Sequence, residues 1–376
     1  MCPPPIVLHL NAPGTLSAVG DGERTLRSHG NLHMAKTIEE IAKDLSISIT
    51  TVRLVLNGNA DKYRISQKTQ QKINDYIAQH GYVLNYAARS LKLNKTELLG
   101  LIIPRLSNPY FSHLAERLEL KCLEAGYQLM TCCTYSDPKR EMQLVESLLS
   151  RNADGLFIAP ASLKAQEHHL KLSTKPIVII DRDFGSEDVS VVISDNAAAA
   201  EKLTAEMIKH DATPFLFLAG DDKQPSIKER IRGYRNAMAA AGLKTSKEGI
   251  LNEGHNSIED GRKIMVRYLD KNGALPTSFI TSSMPLLEGA LSVISERYGH
   301  IPPELNIGTF DTHPMLKFLP NRVWTARQNE EVIVQHAFNA MLQAISGNKE
   351  VIHEVVPMDL SQHIFRVENN QPKVKT

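Results

Sequence analysis

The segment from Ser48 to Asn57 carries side chains whose types and spacing suit contact with a polyanion. At helical spacing, Val52, Val55 and Leu56 share one apolar face, which predicts the buried side of a short helix. Hydroxyl and guanidinium groups can bond to base edges or phosphates, whereas leucine makes only apolar contact. The residues predicted to share the opposite, outward face are Ile49, Thr50, Arg53 and Leu54, and the Thr51 hydroxyl is a further candidate for such contacts.

Three predicted helices position these side chains. Thr37 and Glu40 have the spacing of a capping box and indicate the start of the first helix. Ser48 and Ser66 are predicted to cap the second and third helices, and Gly81 follows the end of the third. Two short helices joined by a tight turn are typical of a helix-turn-helix, whose second helix enters the major groove of DNA.

Basic residues accumulate around the predicted recognition helix. Residues 34–95 hold ten Lys and Arg against five Asp and Glu, although the whole chain has a net charge of only +1. A basic segment on an acidic body favours a local polyanion partner. The alternative is a solvated basic face on a small helical cap. The further residues expected to contact DNA or to flank the contact face are Asn57, Tyr63, Arg64, Ser66, Lys68 and Lys72.

From residue 97 onward, short apolar runs alternate with amphipathic stretches of helical length. This alternation predicts β-α-β units and parallel sheets, and the length favours two α/β lobes. Ligands of such sheets bind beyond the carboxyl ends of the strands, where Asp181, Asp195 and Asp311 follow apolar runs. Asp195 precedes Asn196 and is better explained as a helix N-cap. The apolar runs lie at 98–104, 127–135, 155–160, 176–181, 190–195, 214–220, 278–283 and 305–310.

Several classes of protein are disfavoured by what the sequence lacks. The four cysteines form no C-x-x-C pair, which makes a zinc site or a disulfide scaffold improbable. No apolar run is long enough to cross a membrane, and residues 1–33 resemble no signal peptide and are expected to be disordered. The nucleotide-binding and hydrolase motifs are missing, and His168 and His169 lack H-E-x-x-H spacing and are expected to be solvated.

The stretch from Thr37 to about Phe365 resembles the lactose-repressor family of bacterial transcription regulators. The likeness is most specific in "TIEEIAKDLSISITTVRLVLNGN" and in the sequence that follows it. The segments "ADKYRIS", "IDRD" and "SIKERIRGY" look closest to the sucrose-repressor and fructose-repressor branch. The implied organisation is a disordered extension at 1–33, a helix-turn-helix headpiece at 34–82, a hinge helix and linker at 83–96, and a two-lobed effector-binding and dimerisation domain at 97–376.

The resemblance implies a hinge helix in "NYAARSL" that orders on DNA. Leu91 matches the leucine that the family inserts into the minor groove at the operator centre, and Ala88 would pack close to the DNA backbone. Asn85 belongs to the same predicted contact set. An ordinary core role for Leu91 is the alternative. Arg53 and Leu54 depart from the residues common in the family, which leaves the operator sequence open.

The resemblance also implies a sugar-binding cleft between two lobes of the periplasmic type. Arg230 and Asp311 match the family's ligand-binding arginine and carboxylate, and Asp181 with Arg182 occupies a similar place in the first lobe. Fructose 1-phosphate, fructose and sucrose are the expected effectors. The alternatives are a helix-surface ion pair for Arg230, a loop-closing pair for Arg182, a helix cap for Asn108 and a core role for Phe111. The complete predicted set is Asn108, Phe111, Asp181, Arg182, Arg230, Ser283 and Asp311.

The function that follows from these features is a cytoplasmic transcription regulator, expected to repress carbohydrate uptake or metabolism genes. Its partners would be a palindromic DNA operator, a sugar or sugar-phosphate effector and a second copy of the chain, as a dimer or tetramer. Neither catalysis nor a metal cofactor is expected. The alternatives are a transport-linked sugar-binding protein and a regulator that has lost ligand sensing.

Overall fold

A computed structural model describes residues 36–56, 58–82, 95–213, 215–246 and 249–363. The chain divides into two compact units, residues 1–85 and residues 86–376. The finer domain boundaries given above stay predictions.

The first unit contains three helices around one small core. Thr37 caps the first helix with the predicted reciprocal bonds to Glu40, and the Ser66 side chain accepts a hydrogen bond from the backbone amide of Thr69. The core residues Ile41, Val52 and Ile73 are each 0% exposed, as the helical spacing predicts. The three helices are α1 (Ile38–Leu45), α2 (Ile49–Leu56) and α3 (Gln67–His80).

The second unit alternates strands and helices, as the apolar runs indicate. Its strands are β1 (Leu98–Ile103), β2 (Gln128–Cys133), β3 (Gly155–Ile158), β4 (Ile177–Ile180), β5 (Ser190–Ser194), β6 (Leu216–Ala219), β7 (Ile250–Asn252), β8 (Ser278–Thr281), β9 (Asn306–Phe310), β10 (Val323–Arg327), β11 (His353–Val356) and β12 (Asp359–His363). Its helices are α4 (Pro109–Glu124), α5 (Pro138–Ser150), α6 (Leu163–Leu172), α7 (Asn196–Lys209), α8 (Pro225–Ala240), α9 (Ile258–Asn272), α10 (Met284–Tyr298) and α11 (Glu330–Ile345), with a 3-10 helix at Pro314–Phe318.

The strands form two six-stranded sheets, one in each lobe. The first-lobe sheet has the order β11-β5-β4-β3-β1-β2 and is parallel throughout. The second-lobe sheet has the order β12-β10-β9-β8-β6-β7, in which only the edge strand β12 is antiparallel to its neighbour β10. Apolar clusters cover both faces of each sheet, which is why most strands read as continuous apolar runs.

The chain passes between the two lobes three times. These crossings lie between β5 and α7, between β10 and α11, and between β11 and β12. Each sheet is therefore assembled from separate stretches of the chain, and three segments of the chain join the two lobes. The small helical unit and the two doubly wound lobes confirm the predicted fold class.

Candidate functional site

A cleft of about 650 Å³ is lined by residues from both lobes. The first lobe contributes the loops that follow β1, β2, β3 and β4, and the second lobe contributes the loops that follow β6, β7, β8 and β9, with a further lining residue just after β10. The carboxyl ends of parallel strands meet at this edge of each sheet, which is the usual ligand position in open α/β folds. The volume is within the range of small-molecule sites.

Two carboxylates stand at matching places on opposite walls of the cleft. Asp181 follows β4 and Asp311 follows β9, and they are 6% and 4% exposed. Both have left-handed backbones, with φ of 64° and 67°. A residue other than glycine rarely adopts this conformation, and such strain is concentrated at ligand sites.

Arg230 projects from α8 into the floor of the cleft and is 4% exposed. Its Nε donates to Asn196 Oδ1 at 2.7 Å, and its Nη1 donates to the carbonyl oxygen of Ser282 at 2.6 Å. The guanidinium carbon lies 4.2 Å from the centre of the Phe310 ring. This burial overturns the alternative in which Arg230 is only a helix-surface ion pair.

The ionisation of the cleft is set mainly by burial. Burial raises the pKa of Asp311 to about 6, although Arg230 and a hydrogen bond from Gln328 act in the opposite direction. Burial lowers the pKa of Arg230, while Asp311 and Asp181 favour its charged form. The floor therefore contains a guanidinium and carboxylates that are complementary to sugar hydroxyls.

Tyr110 is a cleft residue that the sequence analysis missed. Its side chain is 2% exposed, and its hydroxyl is buried without a hydrogen-bond partner. Burial raises the pKa of Tyr110 well above its ordinary value, with Asp181 and Asp311 as the next causes. A bound ligand that supplies a partner to this hydroxyl would remove a desolvation penalty. Its position beside Phe111 in "SNPYF" was the available signal.

The remaining predicted effector residues also line the cleft, and most have structural roles as well. Asn108 caps α4 by accepting from the backbone amide of Tyr110 at 3.2 Å. Phe111 is 3% exposed and belongs to the first-lobe core. Ser283 donates to Asn256 Oδ1 at 2.8 Å. Asp195 caps α7, as expected. Their contribution to effector binding stays a prediction.

Gln224 connects the two lobes, which the sequence analysis did not anticipate. It belongs to the second lobe, and its Nε2 donates to the carbonyl oxygen of Ala161 in the first lobe at 2.9 Å. Arg182, also in the first lobe, donates through Nη1 to Gln224 Oε1 at 2.9 Å. Arg182 Nε donates in turn to Asp181 Oδ2 at 2.9 Å, which is the loop-closing pair given above as the alternative for Arg182.

A second connection runs along the crossing segments. Gln328 donates through Nε2 to Asp311 Oδ1 at 2.9 Å, and its Oε1 accepts from Ser194 Oγ at 2.8 Å. Ser194 ends β5 of the first lobe, whereas Asp311 follows β9 of the second lobe. The charged floor of the cleft is therefore bonded to the segments that join the lobes.

The outer face of α2 is the candidate nucleic-acid interface. Ile49 and Thr50 are exposed, while Thr51, Arg53 and Leu54 are half-buried. Thr51 is engaged in the cap of α2, because its amide donates to Ser48 Oγ at 3.1 Å. Arg53 lies in the last turn of α2, next to the core residue Val52, and its exposure leaves part of its side chain accessible to DNA.

The flanking residues of the headpiece also have definite positions. Tyr63 is 58% exposed, and Arg64 is exposed with a left-handed φ of 53°. Lys72 is held at the end of α1 by a bond from its Nζ to the carbonyl oxygen of Leu45 at 3.1 Å. Ser66 is exposed beside the N-terminus of α3. Asn57, Asn85, Ala88 and Leu91 lie outside the described residues, so their predicted DNA contacts stay predictions.

One expectation about the histidines is wrong. His168 is 40% exposed in its side chain, but His169 is fully buried and lies 2.9 Å from Glu141, whose carboxylate is also fully buried. The turn of α6 places His169 inward, where the sequence pattern suggests only a polar surface. Within the described ranges, no His, Cys, Asp and Glu group has the arrangement of a metal site. No described helix is long and apolar enough to cross a membrane.

The helical unit and the two-lobed cleft together define a ligand-responsive DNA-binding regulator. Residues 37–85 match the bacterial regulatory proteins of the lacI family. Residues 96–357 match the periplasmic binding proteins and sugar-binding domain of the LacI family. The chain belongs to the LacI family and is a transcription regulator. The match over residues 37–85 excludes the transport-linked alternative, which lacks such a unit.

The similar proteins fall in the branch that the sequence motifs indicate. The fructose operon regulatory protein of Vibrio cholerae is 35% identical over 86% of this chain and 98% of that protein. The sucrose operon repressor of Klebsiella pneumoniae is 28% identical over 86% of this chain and 97% of its own length. The crystal structure of the Cra dual regulator of Pseudomonas putida with fructose 1-phosphate has a TM-score of 0.64 and 26% identity, over 72% of this chain and 100% of that one.

Proposed function

We propose that the protein represses carbohydrate uptake or metabolism genes in the cytoplasm and is controlled by a sugar-phosphate effector, with fructose 1-phosphate as the first candidate. The observation that carries the proposal is the buried charged floor of the cleft, where Arg230 lies among Asp181, Asp311 and Tyr110. These groups suit a polyhydroxylated ligand, and the arginine side chains suit its phosphate. The relative that was crystallised with fructose 1-phosphate supports the choice.

The proposed mechanism is a population shift between two arrangements of the lobes. The effector contacts both walls of the cleft, so it binds one arrangement more tightly and favours it. A coupling free energy of about 1–3 kcal/mol would change operator affinity by roughly 5- to 150-fold. No reaction on the ligand is required, and we propose that the protein binds its effector without turnover.

The operator is proposed to be palindromic and to be read by a homodimer or homotetramer. Two headpieces would place their α2 helices in successive major grooves, because dimeric helix-turn-helix proteins read half-sites about one helical turn apart. The predicted hinge at residues 83–96 would order on DNA in this assembly. The Leu91→Ala variant is expected to weaken binding to the operator far more than binding to random DNA.

The experiment is selection of bound duplexes from a random DNA pool by the full-length protein, with and without fructose 1-phosphate. A palindromic consensus that is lost or gained with the sugar phosphate would support the proposal. Arg230→Ala is expected to bind the same consensus without responding to the effector. A palindrome that is indifferent to every sugar and sugar phosphate would refute the effector assignment, and no enriched sequence would refute the operator assignment.

A further inference from the structure

Arg105 is a cationic cleft residue that neither the sequence motifs nor the ion pairs of the site explain. It follows β1 and lines the cleft beside Ser107 and Asn108. In the first-lobe sheet, β1 lies between β2 and β3, so the chain reverses its direction of winding at this strand. Ligands of doubly wound sheets bind at such a switch point, outside the carboxyl ends of the two strands.

The other two cleft arginines each donate two hydrogen bonds to the protein, one of them through Nε. Arg182 donates to Asp181 and Gln224, and Arg230 donates to Asn196 and the backbone of Ser282. Arg105 differs from both. Its Nε atom is buried and has no hydrogen-bond partner, and none of the ion pairs within the described ranges includes it.

The guanidinium of Arg105 contacts an aromatic ring. Its carbon lies 5.0 Å from the centre of the Tyr135 ring, within the range of a cation–π contact. Tyr135 and the next residue, Ser136, both have left-handed backbones, with φ of 55° and 61°. Ser136 also lines the cleft. Two consecutive left-handed residues other than glycine are unusual, because each costs conformational free energy. Here they belong to the loop that contains the Tyr135 ring.

We infer that Arg105 receives the anionic group of the effector and is the residue that distinguishes a sugar phosphate from a neutral sugar. A guanidinium can bond a phosphate through two parallel N–H groups, and it is most selective when no protein carboxylate competes. A buried donor without a partner is unfavourable, and a phosphate oxygen that accepts a hydrogen bond from it removes that cost. Arg182, the other first-lobe arginine that lines the cleft, instead bonds Asp181 and the interlobe residue Gln224.

The inference rests on the proposed sugar-phosphate effector, and its test separates the two ideas. Full-length wild-type protein and the variants Arg105→Gln, Arg105→Lys and Arg182→Gln are titrated calorimetrically with fructose 1-phosphate and with fructose. We expect Arg105→Gln to weaken fructose 1-phosphate binding by about 10- to 100-fold, the range for a lost charge-assisted hydrogen bond. Fructose binding should change by less than about twofold, and Arg105→Lys should retain part of the affinity.

Arg140 supplies a matched control. Its guanidinium carbon also lies 5.0 Å from the Tyr135 ring, but Arg140 does not line the cleft, and its Nε donates to the carbonyl oxygen of Cys133 at 2.9 Å. Arg140→Gln should therefore bind fructose 1-phosphate as the wild type does. Operator binding without effector checks that every variant is folded.

Three outcomes decide the matter. Loss of phosphate selectivity in Arg105→Gln alone supports the inference. If Arg105→Gln binds fructose 1-phosphate with unchanged affinity while Arg182→Gln binds it more weakly, the inference about Arg105 is wrong and the proposed function is unaffected. If fructose 1-phosphate does not bind the wild type, the titrations are repeated with fructose 6-phosphate, fructose 1,6-bisphosphate and sucrose 6-phosphate. Binding of neutral sugars only would overturn the inference and the sugar-phosphate proposal together.

Discussion

At the scale of single residues, Asp311 shows how a buried acidic group in the cleft opposes folding stability. The sequence places this carboxyl after an apolar run, and the structure adds its burial, its left-handed backbone and its contact with Gln328. Burial raises its pKa from 3.8 to about 6. The folded state therefore holds a proton on Asp311 at pH values where the unfolded chain has released it.

Asp311→Asn should stabilise the effector-free protein near neutral pH and abolish its response to effector. The wild type loses stability as pH rises from about 4 to about 6, because the native state binds more protons than the unfolded state in that window. The raised pKa corresponds to a cost of about 3 kcal/mol that is fully present above pH 6. Chemical denaturation at pH 5 and pH 7.5 measures the difference. An equal effect of the substitution at both pH values would contradict the explanation.

Glu141→Ala should destabilise the second unit by about 3 kcal/mol, because it leaves buried partners without an acceptor. Glu141 contacts His169 at 2.9 Å, and its other carboxylate oxygen accepts from the amide of Ala161 at 2.8 Å. Glu146→Ala on the same helix is the control, since Glu146 is 58% exposed and lies 3.7 Å from the partly exposed His168. Its effect on the free energy of unfolding should stay below about 0.5 kcal/mol. Similar losses for both variants would show that the buried pair has no special role.

At the scale of elements, the apolar runs predict eight strands correctly, and four strands escape notice. The parallel strands buried on both faces read as continuous apolar segments, so β1 and β4 are evident from sequence. The missed strands β7, β11 and β12 are at the sheet edges, where most side chains are exposed or half-buried. Because β10 was not predicted, the position of Gln328 in the cleft was not predicted either, since Gln328 directly follows that strand.

The role of the loop before α8 could not be predicted from the sequence either. Gln224 occupies the N-cap position of α8 but makes no side-chain cap bond, and its amide reaches the other lobe instead. A glutamine before Pro225 does not indicate this role, because the partner groups come from distant parts of the chain. The residues that follow strands could be predicted, while the bonds between lobes required the tertiary structure.

Gln224→Ala should weaken the contact between the lobes and reduce the affinity for effector by roughly tenfold. It removes two interlobe hydrogen bonds, each with a net contribution of about 0.5–1.5 kcal/mol. Calorimetric titration measures the affinity, and small-angle scattering of the effector-free protein should show a larger radius of gyration. Asp222→Ala is the control, because Asp222 is exposed in the same loop. Unchanged affinity in Gln224→Ala would mean that its bonds form equally in both lobe arrangements.

At the scale of the whole molecule, positive charge is concentrated in the headpiece. The net charge of +1 conceals a basic segment at residues 34–95 and an acidic remainder. The exposed residues Arg64 and Lys68 belong to that segment, whereas the cleft of the second unit mixes acidic and basic side chains. This division concentrates attraction for DNA at the headpiece and limits nonspecific attraction by the larger unit.

Operator affinity should fall steeply with salt, and the slope should report on particular headpiece residues. Each phosphate neutralised on duplex DNA contributes about 0.9 to the slope of log affinity against log salt. Arg64→Ala or Lys68→Ala should reduce the magnitude of the slope by about 2 in a dimer, because each change occurs twice. Lys202→Ala removes an exposed charge from α7 in the second unit and should leave the slope unchanged. Fluorescence anisotropy over a salt series measures these slopes. Equal slopes for Lys68→Ala and the wild type would show that Lys68 does not contact a phosphate. If the operator affinity of the wild type does not change with salt, the basic residues of the headpiece do not contact the DNA phosphates.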